Sequence, residues 1–424
     1  MNKNTISEKS IAGREERGSA GQHQGAAMKK GWQTKTLADL VEVQNGYAFS
    51  SKDYSESGHF LMRIGNVQNG YISTADPKFI KLPADGSLQR FVLSEDDILV
   101  SLTGNVGRVG VIQESHLPAA LNQRVARISI RKDSPATREL LLLFLCSDWF
   151  REELIGAGHG AAQQNVSTKD LVEIEIPIPP LAEQHRIVGL LDEAFEGLAT
   201  AKANAEKNLQ NARALFESHL QSVFTQRGPG WVEKPLGEVC VVKDGTHDSP
   251  KYVADGIPFV TQKNIREDGL SFEKTKFISQ VDHDDFYRRS NAAHGDILIS
   301  MIGANRGMAC IVDDERTFSI KNVGLVKQNP SINQEFLLYF LKSPQAASFV
   351  KGASKGGAQE FVGLTELRRF PVPLPSLELQ NAFAETFQSL RAETQRLARL
   401  YESKLTALAA LKKSLLHQAF TGQL

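Results

Sequence analysis

At 424 residues the chain is long enough for two or three domains with their own cores. It is 41% hydrophobic and 23% charged, as globular proteins are, and its longest apolar run, LLLLFLC at 140–146, is far too short to span a bilayer. Lys+Arg and Asp+Glu stand at 49 each, so net charge alone neither favours nor excludes a nucleic-acid partner.

Residues 1–30 are polar and small, without the apolar core of a secretory signal, and are expected to form a disordered tail. An ordered pattern begins after Met28, at KKGWQTKTLADL. From there short β-rich runs recur between Gly, Asn and Asp turn signals: LVEVQ, HFLMRI, DDILVSL and VARISI. One helical segment is predicted over 136–154, then a strand ending in prolines, then a Pro-free helix from Leu181 to about Thr225. The three cysteines, Cys146, Cys240 and Cys310, are odd in number and lack metal-ligand spacing, which points to buried, reduced thiols and a cytoplasmic protein.

The same order then repeats. WQTKTLADLVEVQNG (32–46) aligns with WVEKPLGEVCVVKDG (231–245), and DILVSLTG (97–104) with DILISMIG (296–303), both at an offset of 199. IPIPPLAEQHRIVGLLDEAF (176–195) aligns with VPLPSLELQNAFAETFQSLR (372–391), and Phe224–Thr225 with Phe420–Thr421, at an offset of 196. The second copy supplies GEVCVV, PFVTQ, DILISM and VGLVK, one helical segment over 333–350, and a second long helix from about Leu377. A period near 200 residues means two domains of one type. The expected layout is a tail (1–30), a head (31–180), a long helix (181–226), a second head (231–376) and a second long helix (377–424).

Each long helix carries a stripe at 3/4 spacing. In the first it runs Ile187, Leu191, Ala194, Leu198, Ala201, Ala205, Ala212, Leu215; in the second, Phe383, Phe387, Leu390, Thr394, Leu397, Tyr401, Leu408, Leu411. Helices of this length, about 65 Å at roughly 1.5 Å per residue, exceed a domain core and imply a coiled coil. One seam is mostly small and the other mostly large, which favours pairing the two helices with each other. Antiparallel pairing relates the halves by a pseudo-two-fold axis, the symmetry of duplex DNA. The fold class is therefore α+β: two similar, β-rich heads, each followed by a long helix.

The runs DILVSLTGNVGRVGVI (97–112), LNQRVARI (121–128) and GAAQQNVSTKDLVEIEIPIPPLAEQHRIVGLLDEAF (160–195), with the closing LKKSLLHQAFTGQL, resemble the specificity (S) subunit of type I restriction–modification enzymes. The resemblance extends from Met28 to Leu424; the second copy departs from it at LPSLELQ and GGAQEFVGLTEL. It implies that each head is a target-recognition domain reading one half of a bipartite double-stranded DNA sequence. It also implies that the helices set the gap between halves and dock two methyltransferase (M) subunits, that restriction (R) subunits bind that core, and that the S subunit is non-catalytic, with no cofactor and no membrane.

Catalytic motifs are sparse. There is no GxxxxGK[ST] loop; GNVGRVG (104–110) reads as a hairpin or loop, QNPSI (328–332) as a turn, and VDHDDF (281–286) as a solvated loop. Side chains suited to base edges gather where strand patterns end. In the first head these are Asn66 and Gln68; Thr103, Asn105 and Arg108; Asn122, Gln123 and Arg124; Gln163 and Gln164. In the second they are Lys263, Asn264 and Arg266; Asn305 and Arg306; Lys321 and Asn322; Lys355 and Gln359. Residues 31–180 hold 14 Lys+Arg against 18 Asp+Glu, and 231–376 hold 18 against 18, so partners are expected to supply much of the phosphate grip. A coiled-coil scaffold with two protein-binding heads is the alternative; it would share the helices but needs no such loop ends.

Overall fold

A computed structural model describes residues 29–158, 165–303, 305–353 and 361–424. The chain divides into two compact units, Met1–Ala203 with Leu405–Leu424, and Asn204–Lys404. Both units are built to one plan.

In the first unit a four-stranded antiparallel sheet runs Val109–Val111, Ile98–Ser101, Val125–Ile130, Val41–Asn45. A second, five-stranded sheet contains His59–Met62 paired parallel with Ala119–Leu121. In the second unit the four-stranded sheet is Ala309–Ile311, Ile297–Ser300, Val323–Val326, Val242–Asp244. Its three-stranded companion pairs Ile257–Val260 parallel with Ser319–Ile320. The apolar runs ILVS and ILIS are buried throughout because they lie between two cores. Ile98 and Val100 face the helices and Leu99 faces the second sheet; Ile297, Ile299 and Leu298 repeat this.

The first and last strands of each head pair with each other: Gln33–Thr36 with Glu175–Ile178, and Val232–Pro235 with Pro371–Leu374. Pro177, Pro371 and Pro373 therefore sit inside strands, where prolines were expected only to end them. A two-stranded ribbon has a free edge on each strand, so a missing N–H is tolerated.

The long helices span Leu181–Thr225 and Leu377–Thr421. Each starts on a buried glutamine. Gln184 accepts from Thr137 N at 2.8 Å and donates to the carbonyls of Pro135 (2.8 Å) and Pro179 (2.9 Å). Its repeat partner Gln380 accepts from Asn333 N at 3.0 Å and donates to Pro375 O at 3.0 Å. Each head packs on the start of one long helix and the end of the other. Phe144 meets Phe420 at 5.2 Å between ring centroids beside Ile187 and Leu191; Phe340 meets Phe224 at 5.1 Å beside Phe387. Further along, Lys412 lies over the Phe195 ring at 4.8 Å in the first unit, and Arg213 pairs with Glu402 at 2.7 Å in the second. The sequence numbers run in opposite senses, so the helices pair antiparallel.

The seam departs from the predicted stripe at one point in each helix. Ile187, Leu191, Ala205, Ala212, Phe387 and Thr394 are buried, and Leu198, Phe383, Leu390, Leu397, Tyr401 and Leu408 half-buried. Leu215 and Leu411, however, are 50% and 47% exposed. Phe216 and Leu220, and Leu415 and Leu416, take their places. At 3.6 residues per turn a strict seven-residue repeat drifts about 20° per heptad, and a step of four keeps the face turned inward.

Three other expectations are corrected. The helical segments are split, into Arg138–Leu145 and Asp148–Ala157, and into Gln334–Leu341 and Pro344–Ala353. Ser147 and Ser343 each cap the second piece, and Pro344 opens it. The acidic run at 281–286 lies in helix Gln280–Ser290, capped by Ser279, with His283 buried against Ser319 Oγ at 2.9 Å. Cys240 and Cys310 are buried, but Cys146 is exposed. GNVGRVG is the predicted hairpin turn, between strands Ile98–Ser101 and Val109–Val111. No helix among the described residues is long and apolar enough to cross a membrane. The tail falls mostly outside the described residues.

Gln184→Met keeps the side-chain length but strands a buried N–H and two carbonyls. It is expected to cost at least about 1–3 kcal/mol, read as a lower urea midpoint, and Gln380→Met should act alike on the second unit.

Candidate nucleic-acid interface

In both heads the first strand of the four-stranded sheet ends in a glycine that lets two loops cross. A Cβ at Gly46 would stand 2.0 Å from Asn122 O, and one at Gly245 would stand 2.2 Å from Ile320 O. Only glycine admits that approach. The crossing is held by Gly46 N to Val125 O (3.2 Å), Tyr47 N to Leu121 O (3.1 Å) and Gln123 N to Tyr47 O (2.8 Å). The second head repeats it, with Gly245 N to Val323 O (2.9 Å), Thr246 N to Ile320 O (3.0 Å) and Asn322 N to Thr246 O (3.1 Å). Each crossing sets the residues after the glycine beside a tight turn. Arg124 (φ +70°) and Asn322 (φ +52°) hold those turns in the left-handed region.

In the first head, Tyr47 is exposed and braced edge-on by Phe49 at 4.9 Å. Gln123 and Arg124 are exposed beside it, and Asn122 is buried, its Oδ1 accepting from Gln123 N at 2.8 Å. A cleft of about 530 Å³ opens here, lined by Arg63, Asn66, Asp76, Asn122, Gln123 and Arg124. Arg63 donates to Asp76 O at 2.6 Å and Oδ2 at 3.1 Å. Hydrogen bonds from Lys78 and then Arg63 hold the Asp76 carboxyl below its ordinary range. Beyond the cleft wall, Arg108 donates to Gln68 Oε1 at 2.8 Å, and Asn105 is exposed in the same turn.

The second head carries different chemistry on the same frame. Lys321 Nζ reaches Ser249 Oγ at 2.5 Å, and Asn322 Oδ1 lies 2.6 Å from His247 Nδ1. His247 Nε2 lies 3.2 Å from Asp244, which Arg289 holds at 2.7 Å. Lys263 and Asn305 are exposed; Arg266 pairs with Glu273 at 2.9 Å; Arg306 donates back to Gly303 O at 3.2 Å.

Besides Asn122, three further candidates are buried in the scaffold. Asn66 is buried, its Oδ1 accepting from Arg63 N (3.1 Å) and its Nδ2 donating to Ser73 O (3.0 Å). Asn264 does the same for Thr261 N (2.8 Å) and Ser271 O (2.9 Å), so this matched pair of asparagines closes a turn. Thr103 is buried in a bridge to Asn165. Gln163, Gln164, Lys355 and Gln359 lie outside the described residues. Tyr47, Asp244, His247 and Arg289 were not among the candidates. The aligned Asn-Gly and Asp-Gly at 45–46 and 244–245 are the signal that marks the loops of the first three.

Gly46→Ala and Gly245→Ala are each expected to cost about 1–3 kcal/mol in urea unfolding, because the clash is with backbone. Gly197→Ala, in mid-helix with open space around it, should instead raise stability by about 0.5–1 kcal/mol.

Comparison with known proteins finds the family described as "Type I restriction modification DNA specificity domain" matching twice, at residues 29–209 and 229–402. The specificity subunit of the type I restriction enzyme EcoBI from Escherichia coli is 23% identical over 428 residues, 93% of this chain and 86% of that protein. The EcoKI specificity subunit from Escherichia coli K12 is 20% identical over 94% of this chain and 90% of that one. Among solved structures, a chain from work on complex assembly and conformational transition of the type I R-M system gives a TM-score of 0.73 at 20% identity. That match covers 94% of this chain and 100% of the other. The HsdS subunit from Thermoanaerobacter tengcongensis gives 0.60 at 20% identity, covering 94% and 98%.

Proposed function

This chain belongs to the type I restriction–modification DNA-specificity family, and we propose that it reads a two-part double-stranded DNA target, one part with each head. The paired helices dock two methyltransferase subunits, restriction subunits join that assembly, and the chain itself catalyses nothing. Such a subunit works in the cytoplasm, where the DNA is.

The observation that carries this reading is the duplicated glycine crossing. One frame presents Tyr47, Gln123 and Arg124 in the first head and His247, Lys321 and Asn322 in the second. Arg, Lys, Asn and Gln supply the donor and acceptor pairs that distinguish base edges in the major groove, and an aromatic adds contact to the thymine methyl. Two protein-binding heads would not need an invariant frame with exchanged base-reading groups. Because Lys+Arg equal Asp+Glu, most of the phosphate grip falls to the methyltransferase partners.

Mapping methylated adenines in a host carrying this gene and its methyltransferase partner tests the reading. A two-part motif with a fixed gap, lost when this gene is deleted, is expected. An unchanged methylation pattern, with the partner shown by pull-down to be bound, would sink it. Inserting seven residues into each long helix should change the gap and leave both base strings intact, since the added turns lengthen the helices by about 10 Å. An unaltered gap would mean that the helices are not the ruler.

A further inference from the structure

The turn that carries Gln123 and Arg124 is one residue longer than its repeat. Tyr47 bridges Asn122 and Thr246 bridges Lys321, while Ser101 pairs with Val125 and Ser300 with Val323. Gln123 and Arg124 therefore fill the step from bridge to strand in the first head, where Asn322 alone fills it in the second. Val125 N closes the longer turn on Asn122 O at 3.3 Å, and Leu102 N holds Arg124 O at 2.9 Å. Of the two central residues only Arg124 has positive φ, +70°, the pattern of a type II turn.

That position suits glycine or asparagine, because a Cβ crowds the backbone there. The shorter turn follows the rule, with Asn322 at φ +52°. The longer one keeps a long charged side chain at a strained position, which points to a task for that side chain. The task is not an internal contact. Among the described residues the Arg124 guanidinium has no hydrogen bond and no ion pair. The other arginines of residues 31–180 are engaged, as Arg63 is by Asp76, Arg108 by Gln68, Arg127 by Asp97 and Arg138 by Asp96. Asp76, the carboxylate lining the cleft that Arg124 shares, is already held by Arg63 and Lys78. Arg124 thus stands exposed at the cleft, on a fixed backbone, with its donors free. A guanidinium only donates, and does so as a rigid, always charged fork, so what it must meet is a pair of acceptors.

We propose that Arg124 is the specificity-determining residue of the first head, its guanidinium donating side by side to O6 and N7 of a guanine in the major groove. This rests on the reading of the chain as a DNA-specificity subunit. A phosphate is a poorer match. It can be met by lysine or arginine from many points and requires no residue in the left-handed region, whereas two acceptors on one base edge require a fork from a fixed point.

The test uses the full chain in complex with its methyltransferase partner, and competition binding against target duplexes changed one base pair at a time. Arg124→Gly removes the guanidinium and suits the positive φ, so it should fold and raise the urea midpoint. It is expected to reduce discrimination about tenfold at one G·C pair of the first half-site, leaving the second half-site unchanged. Arg124→Asn, which gives this turn the residue of the shorter one, should do the same. Arg124→Lys keeps the charge without the fork, and should recover overall affinity but not the discrimination. 7-Deazaguanine at that pair lacks the N7 acceptor and should weaken the wild-type complex but not the Arg124→Gly complex. Loss spread evenly over all duplexes, with a shallower salt dependence, identifies a phosphate contact and overturns the proposal. A first half-site left intact in both the Gly and the Asn variant overturns it too, while a two-part target still read by the wild type leaves the broader function standing. A lowered urea midpoint in both variants means that the side chain serves the turn, and overturns it as well. Loss at a pair where 7-deazaguanine has no effect overturns the guanine assignment. A wild-type complex with no sequence preference overturns the broader reading and this one with it.

Discussion

Everything in this chain hangs on the weld between a head and the start of its long helix. A 45-residue helix has no core of its own and would be indifferent to direction without one. Gln184 and Gln380 remove that indifference. Each is a buried amide whose oxygen and nitrogen are both engaged by backbone of the preceding head. A buried amide left unpaired is costly, so the helix has one favourable orientation relative to its head. The far ends are fixed differently, by aromatic packing. Phe420 enters the first core against Phe144, and Phe224 enters the second against Phe340. Each head thus completes its core with the end of the other half's helix.

Duplication marks out the scaffold. Polar residues that recur at equivalent places, buried and fully bonded, are scaffold: Asn66 with Asn264, and Gln184 with Gln380. Positions where the backbone recurs but the side chain changes carry the individuality of each head. The crossing at Gly46 and Gly245 is the clearest case, since its geometry is dictated by a contact that no side chain could survive. At that crossing the repeat sets Tyr47, Asn122 and Gln123 of one copy against Thr246, Lys321 and Asn322 of the other. The first copy exposes an aromatic ring; the second ties its groups into a hydrogen-bonded run.

Charge balance bears on both heads. Loops with few uncompensated cations attract phosphate only weakly. In the first head Arg63 is paired with Asp76, and in the second Arg289 with Asp244. Both guanidinium groups are thus tied into the frame of their own head.

The two copies, the strands, both long helices and the junction motif were legible in the sequence, because each is written in local signals: alternation, 3.6-residue periodicity, prolines and caps. The breaks at Ser147 and at Ser343–Pro344 were also local, and a closer reading of caps finds them. What the sequence could not separate was an asparagine that closes a turn from one that meets a distant side chain. Asn264 and Asn322 look alike in the chain, yet one spends its amide on Ser271 and Thr275, and the other meets a histidine 75 residues away. The phase of the helix seam at Leu215 and Leu411 was likewise undecided, since a step of three and a step of four both continue an apolar stripe. Hydrogen-bond partners and packing faces are set by residues distant in the chain, and only the folded arrangement brings those together.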